Sequence, residues 1–320
     1  MGRPICGRGT KSASIKLSAS ESAPNVAKKM KVLLTGGSGF VGQYLLKHLL
    51  ACDIDTVVVG RALPENCEPA NFKKIDLLDN CNFDDLVADV GATHLLHLAW
   101  YAEHTAYWTS PLNLSWMQAS VSLVEAFCQA GGKKVVIAGT CAEYDWEYGY
   151  CSEELTPLKP NTLYGVAKDA TRRLAAAVCS KHQVECAWGR IFLPYGQGED
   201  NRRLLPSLIA VFQGKRAPFG VNANVYRDFL HIEDVATGFI ALLQTNATGV
   251  FNVCSGHPVQ LEDVVLQIAQ LYQADPKIIL DLSTERPGEP LFLVGNNQKL
   301  KLLGWQAQYV FADMRKNLEL

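Results

Sequence analysis

Lys31-Val-Leu-Leu-Thr-Gly-Gly-Ser-Gly-Phe-Val-Gly42 decides the fold. A short apolar strand runs into glycines at 36, 39 and 42, and a helical pattern through Tyr44, Leu45, Leu49 and Leu50 follows. Each glycine has its own task. Gly36 permits the tight turn, Gly39 lets backbone approach a pyrophosphate, and Gly42 lets the helix pack on the strand. The helix begins at Phe40 and Val41, and its free N–H groups and positive dipole end face the phosphates. In this strand–turn–helix setting the glycines predict a dinucleotide site.

The same alternation continues outward. Buried strands are expected at 55–60, 72–77, 93–98, 134–138 and 184–188, with helices at 84–90, 112–130 and 163–180 between them. Gly131-Gly132 suits the end of the long helix at 112–130. Unbroken apolar strands alternating with helices predict an α/β fold with a parallel sheet covered on both faces. Beyond Arg190 the alternation loosens, with Pro, Gly and Asn frequent between Pro194 and Asn224, and helical patterns return at 233–244 and 261–272. This half is expected to be a smaller C-terminal lobe closing over the sheet's C-terminal edge, where open α/β sheets bind ligands. The expected division is a disordered basic tail at 1–29, a dinucleotide-binding domain at 30–192 plus 226–254, and a substrate lobe at 193–225 plus 255–320.

Bulk composition excludes several classes. The 320 residues are 48% hydrophobic and 19% charged, with a formal charge of −2, so nucleic acid is not an expected partner. No apolar run reaches the roughly 18–20 residues that span a bilayer, so no membrane is expected. Charge is uneven: residues 1–29 carry +5, which leaves −7 for the rest. That tail is poor in apolar periodicity, and it is read as a non-essential extension or an organelle transit peptide. Ten scattered cysteines without a C-x-x-C, and seven histidines without H-x-x-x-H, predict no metal site and a reducing, cytoplasmic setting, or an organelle if the tail is a transit peptide.

Chemistry enters with Tyr164-Gly-Val-Ala-Lys168. Residues at i and i+4 share a helix face, which sets an ammonium beside a phenol. The positive charge is expected to lower the phenol's pKa and make it a proton donor or acceptor for a sugar or alcohol oxygen. An NAD site usually ends its second strand with an acid for the ribose hydroxyls, whereas this chain has Val59-Gly60-Arg61. Arg61 suits a 2′-phosphate, so NADP(H) is favoured, with NAD possible. Asp76 and Leu77, after the third strand, are placed near the adenine.

The glycine turn, His97-Leu98-Ala99, Thr140, the Tyr-x-x-x-Lys pair and Arg227-Asp-Phe-Leu-His-Ile-Glu-Asp-Val-Ala236 occur in order. On these motifs the chain resembles an extended short-chain dehydrogenase/reductase of the nucleotide-sugar epimerase/dehydratase group, over about residues 30–305. The resemblance implies a doubly wound Rossmann sheet and a homodimer through the helices near 112–130 and 163–180. It implies that Tyr164 is the acid/base, that Lys168 tunes it and binds the nicotinamide ribose, and that Thr140 bonds the reacting oxygen. Leu98, Ala99 and Ile191 would complete the cofactor site. A nucleotide-diphosphate sugar is the implied substrate, with Asn201, Arg203 and Leu205 on the nucleoside and Arg227 and Arg286 on the diphosphate.

Where the family's 4,6-dehydratases carry an Asp–Glu pair after the Thr, this chain has Cys141 and Ala142, so dehydration is not expected. A fucose-type double epimerisation is disfavoured too, because residues 195–201 hold no matching His. Cys141 and Glu143 are assigned to the pocket wall, and Trp100 and Tyr101, in the aromatic stretch 100–108, to the sugar, with 145–148 adding to that wall. The favoured function is NADPH-dependent reduction of a nucleotide-linked 4-keto-6-deoxy sugar. A 4-epimerase with tightly held NAD and a non-catalytic NADP-sensing protein are the alternatives.

Overall fold

The computed structural model describes residues 29–79 and 81–311, so the tail expectation falls, except for Lys29, outside the described residues. Seven strands form the central sheet: β1 Lys31–Thr35, β2 Asp55–Gly60, β3 Phe72–Lys74, β4 His94–His97, β5 Lys134–Thr140, β6 Glu185–Ile191 and β7 Gly249–Val253. Their order is β3-β2-β1-β4-β5-β6-β7. All the pairings are parallel. The order reverses between β1 and β4, and that switch opens a crevice at their C-terminal ends.

Alternate residues face opposite sides of the sheet. Val32, Leu34, Val58, Leu96 and Val136 pack against Leu45 and Leu49 of α1 (Phe40–Ala51) and Val235 and Phe239 of α6 (Ile232–Gln244). Leu33, Val59, Leu95, Val135 and Ile137 face the other way. They meet α2 (Phe83–Val90), α3 (Leu112–Gln129) and α4 (Leu163–Lys181) through Leu86, Leu123, Phe127 and Ala175. Both faces are thus apolar, which is why these strands read as continuous hydrophobic runs.

Three strand ends differ from the sequence expectation by more than one residue. β3 stops at Lys74, because Asp76 turns the chain by accepting the Leu78 N–H at 3.0 Å. β5 and β6 run on to Thr140 and Ile191. The apolar pattern hid this, because the extra turns of ladder carry Gly139, Gly189 and a buried Arg190.

A third core gathers Tyr195, Phe229 and Val221 with Leu205 and Leu208 of α5 (Leu204–Phe212) and Val264 and Ile268 of α7 (Leu261–Leu271). Strand Leu193–Tyr195 pairs with Phe229–His231. Strand Phe292–Gly295 joins Tyr226–Arg227 to Tyr150–Cys151, tying the later half of the chain to the earlier one. The nine cysteines among the described residues are unbridged. Among the described residues no helix is long and apolar enough to cross a membrane.

Candidate active site

A cavity of about 400 Å³ lies in the crevice, lined by the glycine turn, the ends of β2, β4 and β5, and the start of α4. That volume lies in the range of cofactor sites. Gly36, Gly39, Phe40, Val41, Gly42, Arg61, Asp76, Leu77, Leu98, Ala99 and Ile191 all line it, so the cofactor residues expected from sequence meet in one place.

The turn is a cradle that a side chain would fill. Gly36 has φ +74°, and a Cβ there would stand 2.7 Å from the Ala99 nitrogen. A Cβ at Gly42 would stand 2.0 Å from the Gly36 carbonyl oxygen, so helix and turn touch backbone to backbone. The N-terminus of α1, with Gly39 as its cap and no side chain capping it, opens toward the cavity. This donor set fits a dinucleotide pyrophosphate. Arg61 reaches the same cavity, exposed at the end of β2, and pairs with no acid among the described residues.

Thr140, Tyr164 and Lys168 line the inner end. Tyr164 hydrogen-bonds to Thr140 and is otherwise walled by aromatic rings. Tyr107 stands edge-on to it at 4.9 Å between centroids, Trp108 at 5.7 Å and Trp100 at 6.5 Å. Trp100 stacks on Trp116, and its indole donates to Asn113 Oδ1 at 2.8 Å. Trp108 meets Trp146 edge-on at 6.3 Å. Thr105, at φ +62°, bends the chain into the short turn that carries Tyr107 and Trp108 inward.

Lys168 is buried, donating to the Ala138 carbonyl at 3.0 Å with its ammonium 3.9 Å from the Trp100 ring centroid. Burial pulls its pKa down to about 7, with only Glu143 opposing among the described residues. Burial also pushes the Tyr164 phenol well above its usual range, against the Thr140 hydrogen bond. The sequence expectation that Lys168 lowers the phenol's pKa is therefore corrected. In this arrangement the ammonium is engaged elsewhere, and Tyr164 is protonated, poised as a donor. His97 bonds Thr35 Oγ1 at 2.7 Å and Ser120 Oγ at 2.8 Å, and burial holds its pKa down at about 3. It is a neutral strut joining β1, β4 and α3.

The expected substrate residues divide. Trp100, Tyr101 and Arg203 line the cavity, and Arg203 pairs with Glu199 at 3.2 Å. Asn201 and Leu205 line a separate hollow beside α5, with the Leu205 side chain buried in the third core. Four assignments are corrected. Glu143 is fully buried under the floor, its oxygens occupied by protein donors. Cys141 sits beside Tyr144, Phe192 and Cys254 in a buried cluster, off the cavity lining. Arg227 and Arg286 do not line the cavity either. Arg227 is spent on Glu289 at 2.9 Å and on the Tyr226 and Pro290 carbonyls, while Arg286 reaches the Gly220 carbonyl. Sequence reasoning missed Trp116 and Pro194 in the lining, and Trp188 and Arg190 beneath it. A tryptophan one turn into a helix carries no signal of its own.

A glycine-cradled crevice on a doubly wound parallel sheet, with Thr, Tyr and Lys at its inner end, defines the extended short-chain dehydrogenase/reductase class. The sequence pattern of the NAD dependent epimerase/dehydratase family matches residues 32–254, and the chain belongs to that family. A UDP-glucose 4-epimerase of Lacticaseibacillus casei is 24% identical over 314 residues, covering 88% of this chain and 92% of the relative. A dTDP-6-deoxy-L-talose 4-dehydrogenase (NAD(+)) of Aggregatibacter actinomycetemcomitans is 24% identical over 255 residues, covering 74% and 88%. Among solved structures, a Thermus thermophilus UDP-glucose 4-epimerase complex with NAD superposes with a TM-score of 0.72 at 23% identity, covering 88% of this chain and 96% of that one.

Proposed function

We propose that this protein is an NADPH-dependent reductase of a nucleotide-linked 4-keto-6-deoxy sugar. One observation carries the reading. The proton-transferring groups at the inner end of the cavity are Thr140, Tyr164 and Lys168, and among the described residues the only carboxylate in the lining is Asp76. Asp76 follows β3, four strand spacings from β5, or about 19 Å. The site can therefore exchange a proton at one oxygen, but among the described residues it holds no acid pair for removing water.

The dinucleotide, when bound, supplies the hydride. Tyr164 delivers the proton to the reduced oxygen, and the Thr140 hydroxyl holds that oxygen in place. Lys168 keeps a cation at the base of the site. The glycine turn and Phe40–Val41 would hold the pyrophosphate, with Asp76 and Leu77, in the same lining, on the adenine side. Arg61, exposed and without an acid partner among the described residues, supports a 2′-phosphate and hence NADP(H). Trp100, Tyr101 and Tyr107, which line the cavity, offer ring faces and edges to a sugar's C–H groups, which supports a sugar short of hydroxyls. Arg203 is the arginine best placed for the nucleoside diphosphate.

The 4-epimerase reading is favoured by the activity of the Lacticaseibacillus casei relative. Chemistry weighs against it here. A hydride returned to the sugar face it left would restore the starting centre, so inversion at C4 would require the sugar to present both of its faces. Rings at 4.9 and 5.7 Å from Tyr164 restrict that turn. A cofactor sensor has no need of a protonated phenol at its inner end. Exposed Leu112 and Leu114 on α3 and Val166 and Leu174 on α4 suit cover by a second copy of this chain. The unbridged cysteines suit a reducing, cytoplasmic setting.

The test is to purify the protein, release its nucleotide, and screen NADPH oxidation against a panel of nucleotide 4-keto sugars. The reading expects little retained nucleotide and turnover with at least one sugar. Stoichiometric retained NAD+, with no NADPH consumption on any sugar, refutes it.

A further inference from the structure

The buried Glu143 lies outside the proton-transfer route just described, yet it bonds the Thr140 backbone and its charge acts on Lys168. It is fully buried, and its carboxylate takes three bonds: the Thr140 N–H at 2.9 Å and the Trp188 indole N–H at 2.9 Å on Oε1, and Arg190 Nε at 2.7 Å on Oε2. The first of these closes a reciprocal cap with the Thr140 side chain, which fixes the short turn after β5. Three residues of β5 are thus held from two sides. Lys168 Nζ holds the Ala138 carbonyl, and Glu143 holds the Thr140 N–H. Between them lies Gly139, where a Cβ would stand 1.9 Å from Trp188 Nε1 and 2.7 Å from Glu143 Oε1. The strand is bare at that point, which makes room first for the Trp188 indole and then for the carboxylate it bonds.

Burying a carboxylate is costly unless it is paired and hydrogen-bonded, and Arg190, itself 1% exposed, provides the pair. An apolar plug would hold β5 without that cost. What a plug lacks is charge. We propose that Glu143 is a positioning residue of the reaction: from beneath the floor it fixes the strand end presenting Thr140 and supplies the buried negative charge against which Lys168 keeps its proton.

The groups around this charge are few. His97 on β4 faces Lys168 and is uncharged above about pH 3. Tyr164 on α4 and Cys141 beside the cap feel Glu143, and burial keeps both protonated. Arg190 on β6 is the direct pair, and Arg172 on α4 stands at 3.9 Å, itself held by Asp169. Among the described residues, Glu143 is the one group that raises the pKa of Lys168 against burial. Removing the charge therefore makes Lys168 release its proton at lower pH.

The inference rests on the reductase reading for its purpose, but its test needs no substrate. The full chain is labelled with ¹³C at lysine Cε, and the Lys168 signal, assigned with Lys168→Arg, is titrated by NMR. Wild type is expected to titrate near pH 7. Glu143→Gln keeps an acceptor for Thr140 and Trp188 and removes only the charge, so the midpoint falls by about one pH unit, the scale of one nearby charge. Because Glu143→Gln strands Arg190, a Glu143→Gln, Arg190→Met double leaves no buried unpaired charge, and if the single variant does not fold the shift is read between that double and Arg190→Met, which differ only in the charge at 143. An unchanged midpoint in the folded variant overturns the proposal and leaves Glu143 a structural cap. Absence of turnover on every sugar would refute the reductase reading without altering this titration.

Discussion

Replacing Arg61 by alanine isolates the claim about cofactor choice. The side chain is exposed at the end of β2, pairs with no acid among the described residues, and follows Gly60, around which even an added Cβ meets nothing within 4 Å. Its loss opens no cavity and strands no buried group, so stability should stay within about 0.5 kcal/mol. Binding is another matter. Hydrogen bonds from a guanidinium to a phosphate contribute about 1.5–3 kcal/mol. At 1.4 kcal/mol per decade that is roughly a 10- to 150-fold loss of NADPH affinity. NADH has a hydroxyl where NADPH has the 2′-phosphate, so its affinity should change little. Titrating both nucleotides into wild type and Arg61→Ala at one fixed ionic strength reads the ratio. The wild-type preference for NADPH should also weaken with salt, because the site is open to solvent. If Arg61→Ala leaves the NADPH/NADH ratio unchanged, the second strand does not select the cofactor and the reasoning fails.

Tyr164→Phe keeps the aromatic packing with Tyr107 and Trp108 and removes the proton, so turnover should fall about 10²- to 10⁴-fold while NADPH still binds, as stopped-flow and equilibrium titration can show. Gly42→Ala would push a methyl to 2.0 Å from the Gly36 carbonyl oxygen, and calorimetry should find loss of dinucleotide binding with a lowered Tm. Lys168 has its pKa lowered from 10.5 to about 7, so in the folded protein it is charged, at a burial penalty, below about pH 7 and sheds that penalty as pH rises toward 10.5. The Tm of Lys168→Met relative to wild type, without nucleotide, should therefore be most favourable to the variant near pH 6 and fall steadily toward pH 10. A difference independent of pH would contradict the burial argument.

How far the sequence could be read depends on where each signal is local. The glycine turn and the Tyr164–Lys168 spacing are short-range patterns, and they located the cradle and the inner end of the cavity. The parallel sheet followed from apolar runs that pack on both sides. What could not be read depends on pairing across the sheet. Arg190 looks like the end of a strand until Glu143 is seen beneath it. Glu143 looks like a pocket acid until its three donors are counted. Lys168 lies beside Tyr164 in sequence, but the Ala138 carbonyl and the Trp100 ring take its ammonium, so the phenol is held protonated. Arg227 carries the family pattern, yet Glu289, far along the chain, occupies its guanidinium.

One measurement bears most directly on the central claim of one-way hydride transfer with Tyr164 as donor. NADPH carrying deuterium at the transferable C4 position is supplied with the nucleotide 4-keto sugar that supports turnover, and the product is examined by NMR and mass spectrometry. One deuterium is expected at sugar C4 for each NADPH oxidised, with a single C4 configuration and loss of the reaction in Tyr164→Phe. Interconversion of 4-epimeric nucleotide sugars without consumption of NADPH, and with no deuterium in the product, would contradict it.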